Sequence, residues 1–163
     1  MYFKQKDIFG AMSKDFVKKV MNISKTESHG EGEFLFRKGD LANQFYVLLK
    51  GHIKLILGET GHVVYVVSHA GEAFGWSSLT GRDTYSAAAE CLAKTKVLKW
   101  DKQDLQKVIE TDLADGLIFY KRLSELLGNR LVQSYTIISS TLGSEVYPSF
   151  GTRQVMVTTA TEL

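Results

Sequence analysis

The sequence is poor in residues that crosslink or kink a chain, with one cysteine, Cys91, and one proline, Pro148. A single cysteine excludes an internal disulfide and fits a reducing compartment, so we expect a cytoplasmic protein. No apolar run approaches the roughly 20 residues that a membrane-spanning helix needs. The charged N-terminus lacks the apolar stretch of a signal peptide, so we expect neither a leader nor membrane contact.

Strong charge of either sign is also missing, since the formal net charge is +2 over 163 residues. Such a small charge does not indicate a nucleic-acid partner, and it does not exclude a small anionic ligand. The length suits one domain with a core, which we place at residues 1–140. The remaining tail, residues 141–163, carries few charges, and Gln154–Thr159 could form one more strand or belong to a frayed end.

Histidines are few, and they form no metal-binding pattern. No two of the four, His29, His52, His62 and His69, are separated by a single residue. No Cys-x-x-Cys motif accompanies them. No Ser-His-Asp set is legible either, although distant side chains can meet in a fold. We therefore predict no metal site and no catalytic residues, and interpret the chain as a non-enzyme.

Glycine, in contrast, is frequent and divides residues 26–99 into short strand-like runs. The predicted strands are Glu33–Arg37, Phe45–Leu49, His52–Leu57, His62–Ser68, Thr84–Glu90 and Thr95–Trp100. Strands of this length, with turn signals about every ten residues, favour an antiparallel sandwich or barrel. No helical periodicity interrupts them, which argues against a parallel α/β sheet.

Helical spacing of apolar residues flanks this β region. Residues 7–22 predict a packing helix, whose second part Ser13 can cap. Downstream, Asp101 can cap a short helix that begins at Lys102. Asp112 can cap a longer helix, which we expect over about residues 113–138.

The long predicted helix carries two apolar lines. One is a heptad-like seam with steps of four and three residues. Its members are Leu117, Tyr120, Ser124, Leu127, Leu131, Ser134 and Ile138, and the second line contains Phe119, Leu123, Leu126 and Ile137. A helix laid simply across one core is the alternative. We favour a homodimer, because nothing else in the chain is left to cover the second line.

The most distinctive stretch is GEAFGWSSLTGRDTYSAAAEC, Gly71 to Cys91, which we call the cassette. Its Gly-x-x-x-Gly turn predicts a close backbone approach at Gly75. A one-turn helix from Trp76 can then aim backbone N–H groups at an anion. The candidate ligand-binding residues are Phe74, Gly75, Trp76, Ser77, Ser78, Arg82, Tyr85 and Ser86. Their hydroxyl groups and the phenol form a donor-rich set.

Four segments carry a family resemblance: GEFLFRKGD (32–40), FYVLLKGHIKL (45–55), GEAFGWSSL (71–79) and VLKWDKQDL (97–105). The specific part is the spacing of Gly32, Gly39, Gly51, Gly71 and Gly75. Over residues 8–138 the chain resembles the cyclic nucleotide-binding domain of the catabolite activator and Fnr regulator superfamily. This implies a mainly β fold, an antiparallel β-roll (jelly-roll-like, a double-stranded β-helix) with an N-terminal helix. It also implies a ligand in the cassette and a long C-terminal helix that dimerises.

Two positions depart from the pattern of that family. Its nucleotide binders typically have Phe-Gly-Glu in the cassette, with the glutamate on the ribose; here Trp76 gives a Gly-Trp-Ser variant. Their arginine for the cyclic phosphate corresponds to Tyr85, which is followed by Ser86, and Arg82 lies three residues earlier. Burying an anion without a cation is costly. We therefore expect altered contacts to cAMP or cGMP, and a cyclic nucleotide or another small anion as ligand.

Two functions stay open. The first is a small-ligand-binding sensory domain that signals through the dimer helix; the second is a degenerate, ligand-free module for dimerisation or protein docking. DNA-binding members of the superfamily append a winged helix-turn-helix after the long helix, and the residues after Ser140 lack a basic helix. The chain is then either a single-domain member or a fragment of a longer protein. We favour the single-domain member, with no direct nucleic-acid binding from this chain.

Overall fold

The computed structural model describes residues 8–58 and 61–141, and eight strands in these ranges form two antiparallel sheets. The strands are β1 Lys25–His29, β2 Phe34–Phe36, β3 Gln44–Lys50, β4 Ile53–Leu57, β5 His62–Val67, β6 Ala73–Phe74, β7 Ala88–Cys91 and β8 Thr95–Asp101. The helices are α1 Lys14–Asn22, a 3₁₀ helix Trp76–Leu79, α2 Lys102–Thr111 and α3 Leu113–Thr141. The predicted antiparallel β-roll between an N-terminal helix and a long C-terminal helix is confirmed.

The chain divides into two compact units after Leu123. The first, residues 1–123, contains the roll, α1, α2 and the first part of α3. In the second, residues 124–163, the structure describes the remainder of α3. The predicted tail strand, Gln154–Thr159, lies outside the described residues.

The roll encloses its core between the two four-stranded sheets. Their strand orders are β1-β8-β3-β6 and β2-β7-β4-β5. Since successive side chains on a strand point to opposite faces, β3 contributes Tyr46 and Leu48 to this interior. Other members of this core are Phe36, Ile53, Val67, Phe74, Ala89, Cys91 and Val97.

A second apolar cluster lies on the helix side of the first sheet. The Phe9 ring is 5.2 Å from that of Trp100 and 5.8 Å from that of Phe119, between ring centroids. Phe45, on the opposite face of β3 from Tyr46, contacts Phe119 edge-on at 6.1 Å. Phe119 and Leu123 are both buried. These two members of the second apolar line therefore face the core of the first unit.

Ser13 connects the start of α1 to the first turn of α3. Its Oγ accepts a hydrogen bond from the Phe16 amide at 3.1 Å, which confirms it as the N-cap of α1. The Ser13 amide donates to Asp115 Oδ1 at 3.0 Å, and the Ser13 hydroxyl donates to the same carboxylate. Because Asp115 is buried in the first turn of α3, Ser13 supplies partners to a charge that has lost water. Asp101 is confirmed as the cap of α2.

Several predicted boundaries differ from those of the structure. The strand predicted at Thr84–Glu90 begins only at Ala88, because Thr84 makes an isolated bridge to Leu41 and the chain bends at Ser86 and Ala87. The N-terminal helix, predicted from residue 7, begins at Lys14, since residues 8–11 form a turn and Met12 a bend. The short strands β1 and β6 were not predicted.

The Ser13→Ala variant should lower the free energy of unfolding by about 1–3 kcal/mol, because it removes the helix cap and the hydroxyl donor to the buried Asp115 carboxylate. The backbone amide of residue 13 still donates to that carboxylate. Denaturant unfolding measures the change. Ser13→Thr keeps the hydroxyl and should restore most of the loss. Ser28→Ala, at an exposed strand position, is the matched control. Equal stability of Ser13→Ala and Ser28→Ala would contradict the assignment.

Candidate functional site

The turn at Gly75 fixes the start of the cassette. Gly75 has φ 73° and ψ 22°, a left-handed conformation that favours glycine. A Cβ atom there would lie 2.9 Å from Cδ2 of Tyr46 and 3.3 Å from the carbonyl oxygen of Gln44. The predicted close backbone approach is therefore confirmed, as is the one-turn helix that follows, Trp76–Leu79.

Two of the three serines of the cassette lie in the interior. Ser77 and Ser78 are both buried. The Ser78 hydroxyl donates to the Gly75 carbonyl at 2.9 Å, so it stabilises the turn from within. Trp76, in contrast, is half-buried. Of these three side chains, Trp76 retains the most surface for contact with a ligand.

Tyr85, at the position predicted to face a phosphate, is enclosed by protein groups. It is 3% exposed, and its ring stacks on Phe36 with a centroid distance of 3.8 Å. Its hydroxyl donates to the backbone carbonyl of Gln44 at 2.6 Å and accepts from the backbone N–H of Gln44 at 3.1 Å. We call this pair of hydrogen bonds the Tyr85–Gln44 clasp. It uses the phenol as both donor and acceptor.

The backbone of Tyr85 is held as firmly as its side chain. The Tyr85 amide donates to the Asp40 carbonyl at 2.9 Å, and the Gly39 amide donates to the Tyr85 carbonyl at 3.0 Å. The Asp40 carboxylate in turn accepts from the Arg37 amide at 2.7 Å. These hydrogen bonds attach the backbone of Tyr85 to the loop between β2 and β3.

Positive charges near the cassette lie outside the core or already have partners. Arg82 is exposed, and the guanidinium of Arg37 lies 3.6 Å from the ring centroid of Phe34. Lys99, in register with Tyr46, places its Nζ 2.6 Å from Oε1 of Glu27. Burial alone would raise the pKa of Glu27, but the hydrogen bond and charge of Lys99 outweigh it, so that pKa lies below its usual value.

The structure thus brings part of the predicted site together. The Phe74 ring stacks on the Tyr46 ring at 5.2 Å and on the Phe36 ring at 6.3 Å, between ring centroids. Phe36 in turn stacks on Tyr85. Ser86 is half-buried beside Tyr85 in sequence, and Arg82 is not drawn into this aromatic cluster. As ligand contacts, these residues stay predictions.

Sequence reasoning missed Gln44, Tyr46 and Phe36. Both aromatic residues lie in unbroken apolar runs, Phe34–Phe36 and Phe45–Leu49, so the sequence pattern does not distinguish the inward face of either strand. Gln44 acts through its peptide group, which every residue has, and its partner lies 41 positions away. No local signal could have identified it.

Other kinds of site have little support in the described part of the chain. Over residues 8–58 and 61–141, no three His, Cys, Asp or Glu side chains meet as metal ligands would. His29 lies 3.2 Å from Glu33, with its Nδ1 against Oε2 of the carboxylate. Within the same ranges, no helix has both the length and the hydropathy to cross a bilayer.

The roll, the cassette turn and the long C-terminal helix define a β-roll domain that ends in a long helix. The family model described as "Cyclic nucleotide-binding domain" matches residues 26–112, which is more than half of the chain. This chain therefore belongs to the cyclic nucleotide-binding domain family, whose members are sensory and regulatory domains.

Known relatives agree with this assignment. The chain is 29% identical over 99 residues to the cyclic nucleotide-gated channel beta-3 of Canis lupus familiaris, a match that covers 59% of this chain and 13% of the channel protein. A cyclic nucleotide-binding domain from Methylobacillus flagellatus superposes with a TM-score of 0.75 at 21% identity, covering 85% of this chain and 79% of that one. The Thermus thermophilus catabolite activator protein gives 0.67 at 21% identity, covering 82% and 62%. The two structural likenesses show the fold.

The free energy of unfolding should depend on pH through the buried phenol of Tyr85. Burial raises the pKa of Tyr85 to about 12, whereas the pKa of tyrosine in an unfolded chain is about 10. Below the lower value both states hold the proton, so this group leaves stability constant. As the pH rises from the lower value to the higher, only the unfolded chain releases the proton, and the free energy of unfolding should fall.

Chemical denaturation across that alkaline range measures the effect. Tyr85→Phe should reduce the alkaline loss, and Tyr46, whose pKa burial also raises, should supply a remaining part. Tyr135→Phe, at an exposed position, should leave the profile as in the wild type. A Tyr85→Phe profile identical to that of wild type would contradict the buried clasp.

Proposed function

We propose that this chain is a small-ligand-binding regulatory domain, not an enzyme, in which the usual contacts to a cyclic phosphodiester are altered. We also propose that it passes its ligand state to a homodimer through α3. The Tyr85–Gln44 clasp is the observation that carries the first part. A cytoplasmic location stays a prediction from the sequence.

The clasp matters because of where it lies. The family resemblance puts the phosphate-pairing arginine at position 85, and Tyr85 there is neutral and buried. Its hydroxyl is already bonded to both polar groups of the Gln44 backbone. A phosphodiester entering this place would lose water without gaining a cation, and it would have to break the clasp. Binding of cAMP or cGMP in the usual manner is therefore disfavoured.

The cassette still offers contacts at its surface. Among the eight candidate residues, Trp76 and Ser86 are half-buried and Arg82 is exposed, whereas the others are buried. An indole can stack on a flat ring, a hydroxyl can donate or accept, and a guanidinium can pair with an anion. We therefore place a flat, weakly anionic ligand against Trp76, near the surface of the roll.

The dimer part rests on exposed apolar side chains along α3. In the first unit, Leu117 is 72% exposed and Tyr120 is 38% exposed. In the second unit, Leu131 is 47% exposed and Ile138 is 46% exposed. All four belong to the predicted heptad-like seam. Apolar surface of this kind favours association with a second copy of the helix.

A second candidate function is a ligand-free dimerisation module. The stack of Tyr85 on Phe36 favours it, because two aromatic rings fill the interior next to the position where the family places its phosphate. In this case the seam on α3 would carry the activity of the chain, and the cassette would serve only the fold.

Thermal unfolding with a ligand panel separates the two functions. The panel contains cAMP, cGMP, cyclic dinucleotides, AMP, ATP and simple anions, since a ligand at 100 times its dissociation constant adds about 2.7 kcal/mol. We expect no saturable shift with cAMP or cGMP, and a shift with another member that Trp76→Ala abolishes. Leu92→Ala, at an exposed turn outside the cassette, is the control. A saturable cAMP or cGMP shift would contradict the altered contacts; no shift at all would favour the ligand-free module.

The Leu131→Asp variant should split the homodimer, because it places a charge on the apolar seam. Sedimentation velocity should show a dissociation constant raised by about a hundredfold or more, a change of about 2.7 kcal/mol. Val132→Asp is the matched control, since one residue along a helix turns the side chain by about 100° and Val132 is not a seam member. A dimer that survives Leu131→Asp would overturn the proposed role of α3.

A further inference from the structure

The outer edge of β5 is an apolar strand edge. β5 pairs with β4 along one side, and no strand within residues 8–58 and 61–141 pairs with its other side. Val63, Val64 and Val66 are 52%, 44% and 39% exposed. Exposed edge strands usually carry charge or proline, which prevents pairing with other chains. Residues 63–67 contain neither.

The sequence of this edge is symmetric. Residues 63–67 read Val-Val-Tyr-Val-Val in both directions from Tyr65. If two copies pair antiparallel about Tyr65, Val64 of each copy lies opposite Val66 of the other. Aliphatic pairs in direct opposition stabilise an antiparallel ladder. A two-fold pairing of this kind uses the same surface on both copies and closes on itself.

The charged groups near the β5 edge are compatible with pairing to a second copy of the chain. In the outward row of this sheet, Val66 lies beside Lys54, whose ammonium is 3.0 Å from the Glu90 carboxylate. Lys54 therefore brings little unbalanced charge to the edge. The same pairing sets exposed His62 of each copy opposite Ser68 of the other. The Ser68 amide donates to the Glu72 carboxylate at 3.1 Å, and His69 of the same chain lies 3.8 Å from that carboxylate. The carboxylate at each end of the pairing therefore already has partners within its own chain.

We propose that a second copy of this chain adds to the roll at β5, by antiparallel pairing about Tyr65. The occupant is the same strand of another molecule, since the symmetric order of the valines fits that strand. The contact would join two four-stranded sheets into one sheet of eight strands. It is separate from the seam on α3.

The size of the contact sets its strength. A single six-residue strand from each copy offers less surface than the roughly 800 Å² per partner of a standard interface. The β5 contact is therefore weak and depends on protein concentration. In a chain that also dimerises through α3, it would produce species larger than a dimer.

The test uses the Leu131→Asp protein, in which the α3 contact is removed. Sedimentation equilibrium on this protein should show a weak monomer–dimer equilibrium. Adding Val64→Lys should raise the dissociation constant by about tenfold or more, since lysines then approach one another across the two-fold axis. Leu92→Lys makes the same charge change at a residue of similar exposure away from β5, and it should have no effect.

Hydrogen exchange of the wild-type chain gives a second measurement that needs no substitution. Amides of residues 62–67 should exchange more slowly at high protein concentration than at low concentration, while those of β1 should not change. A Leu131→Asp protein that is monomeric at every concentration would overturn the proposal. So would an equal effect of Val64→Lys and Leu92→Lys, or β5 exchange that is independent of concentration. A different protein as the partner of β5 would give the first of these results.

Discussion

The backbone N–H and carbonyl groups of Gln44 connect the cassette to the rest of the roll. Gln44 begins β3 in one sheet, while Phe36, on which Tyr85 stacks, ends β2 in the other. Tyr85 therefore bonds to one sheet through its hydroxyl and packs on the other through its ring. The turn at Gly75 lies against the same Gln44 carbonyl oxygen, and a Cβ atom there would lie 3.3 Å from that oxygen and 2.9 Å from Cδ2 of Tyr46. A change at any of these residues reaches the other three.

This arrangement closes the interior with a neutral group. A buried guanidinium would need an anion to compensate its lost hydration, and in a nucleotide-binding domain the ligand supplies that anion. A phenol bonded to a backbone peptide group needs no such compensation. The roll can therefore be well packed in the absence of a ligand.

The fold was predictable from local features. Gly75 reveals a turn because its backbone needs glycine, and Ser13 and Asp101 reveal helix starts because capping acts over three residues. The strands with several apolar residues were found, although their ends moved. β1, with the sequence Lys-Thr-Glu-Ser-His, has no apolar residue to mark it, and β6 has only two residues. Tyr85 was placed in the cassette, but its partner Gln44 follows from the tertiary fold alone, which the sequence pattern does not contain.

The chain carries two tryptophans, and they lie in contrasting surroundings. Trp100 is fully buried, and its indole N–H donates to the Val20 carbonyl at 2.8 Å. Trp76 is half-buried at the start of the cassette helix. An excited indole emits at shorter wavelength in an apolar, rigid setting than beside water. The unlabelled protein thus has an internal optical reference in its core and an optical sensor in its cassette.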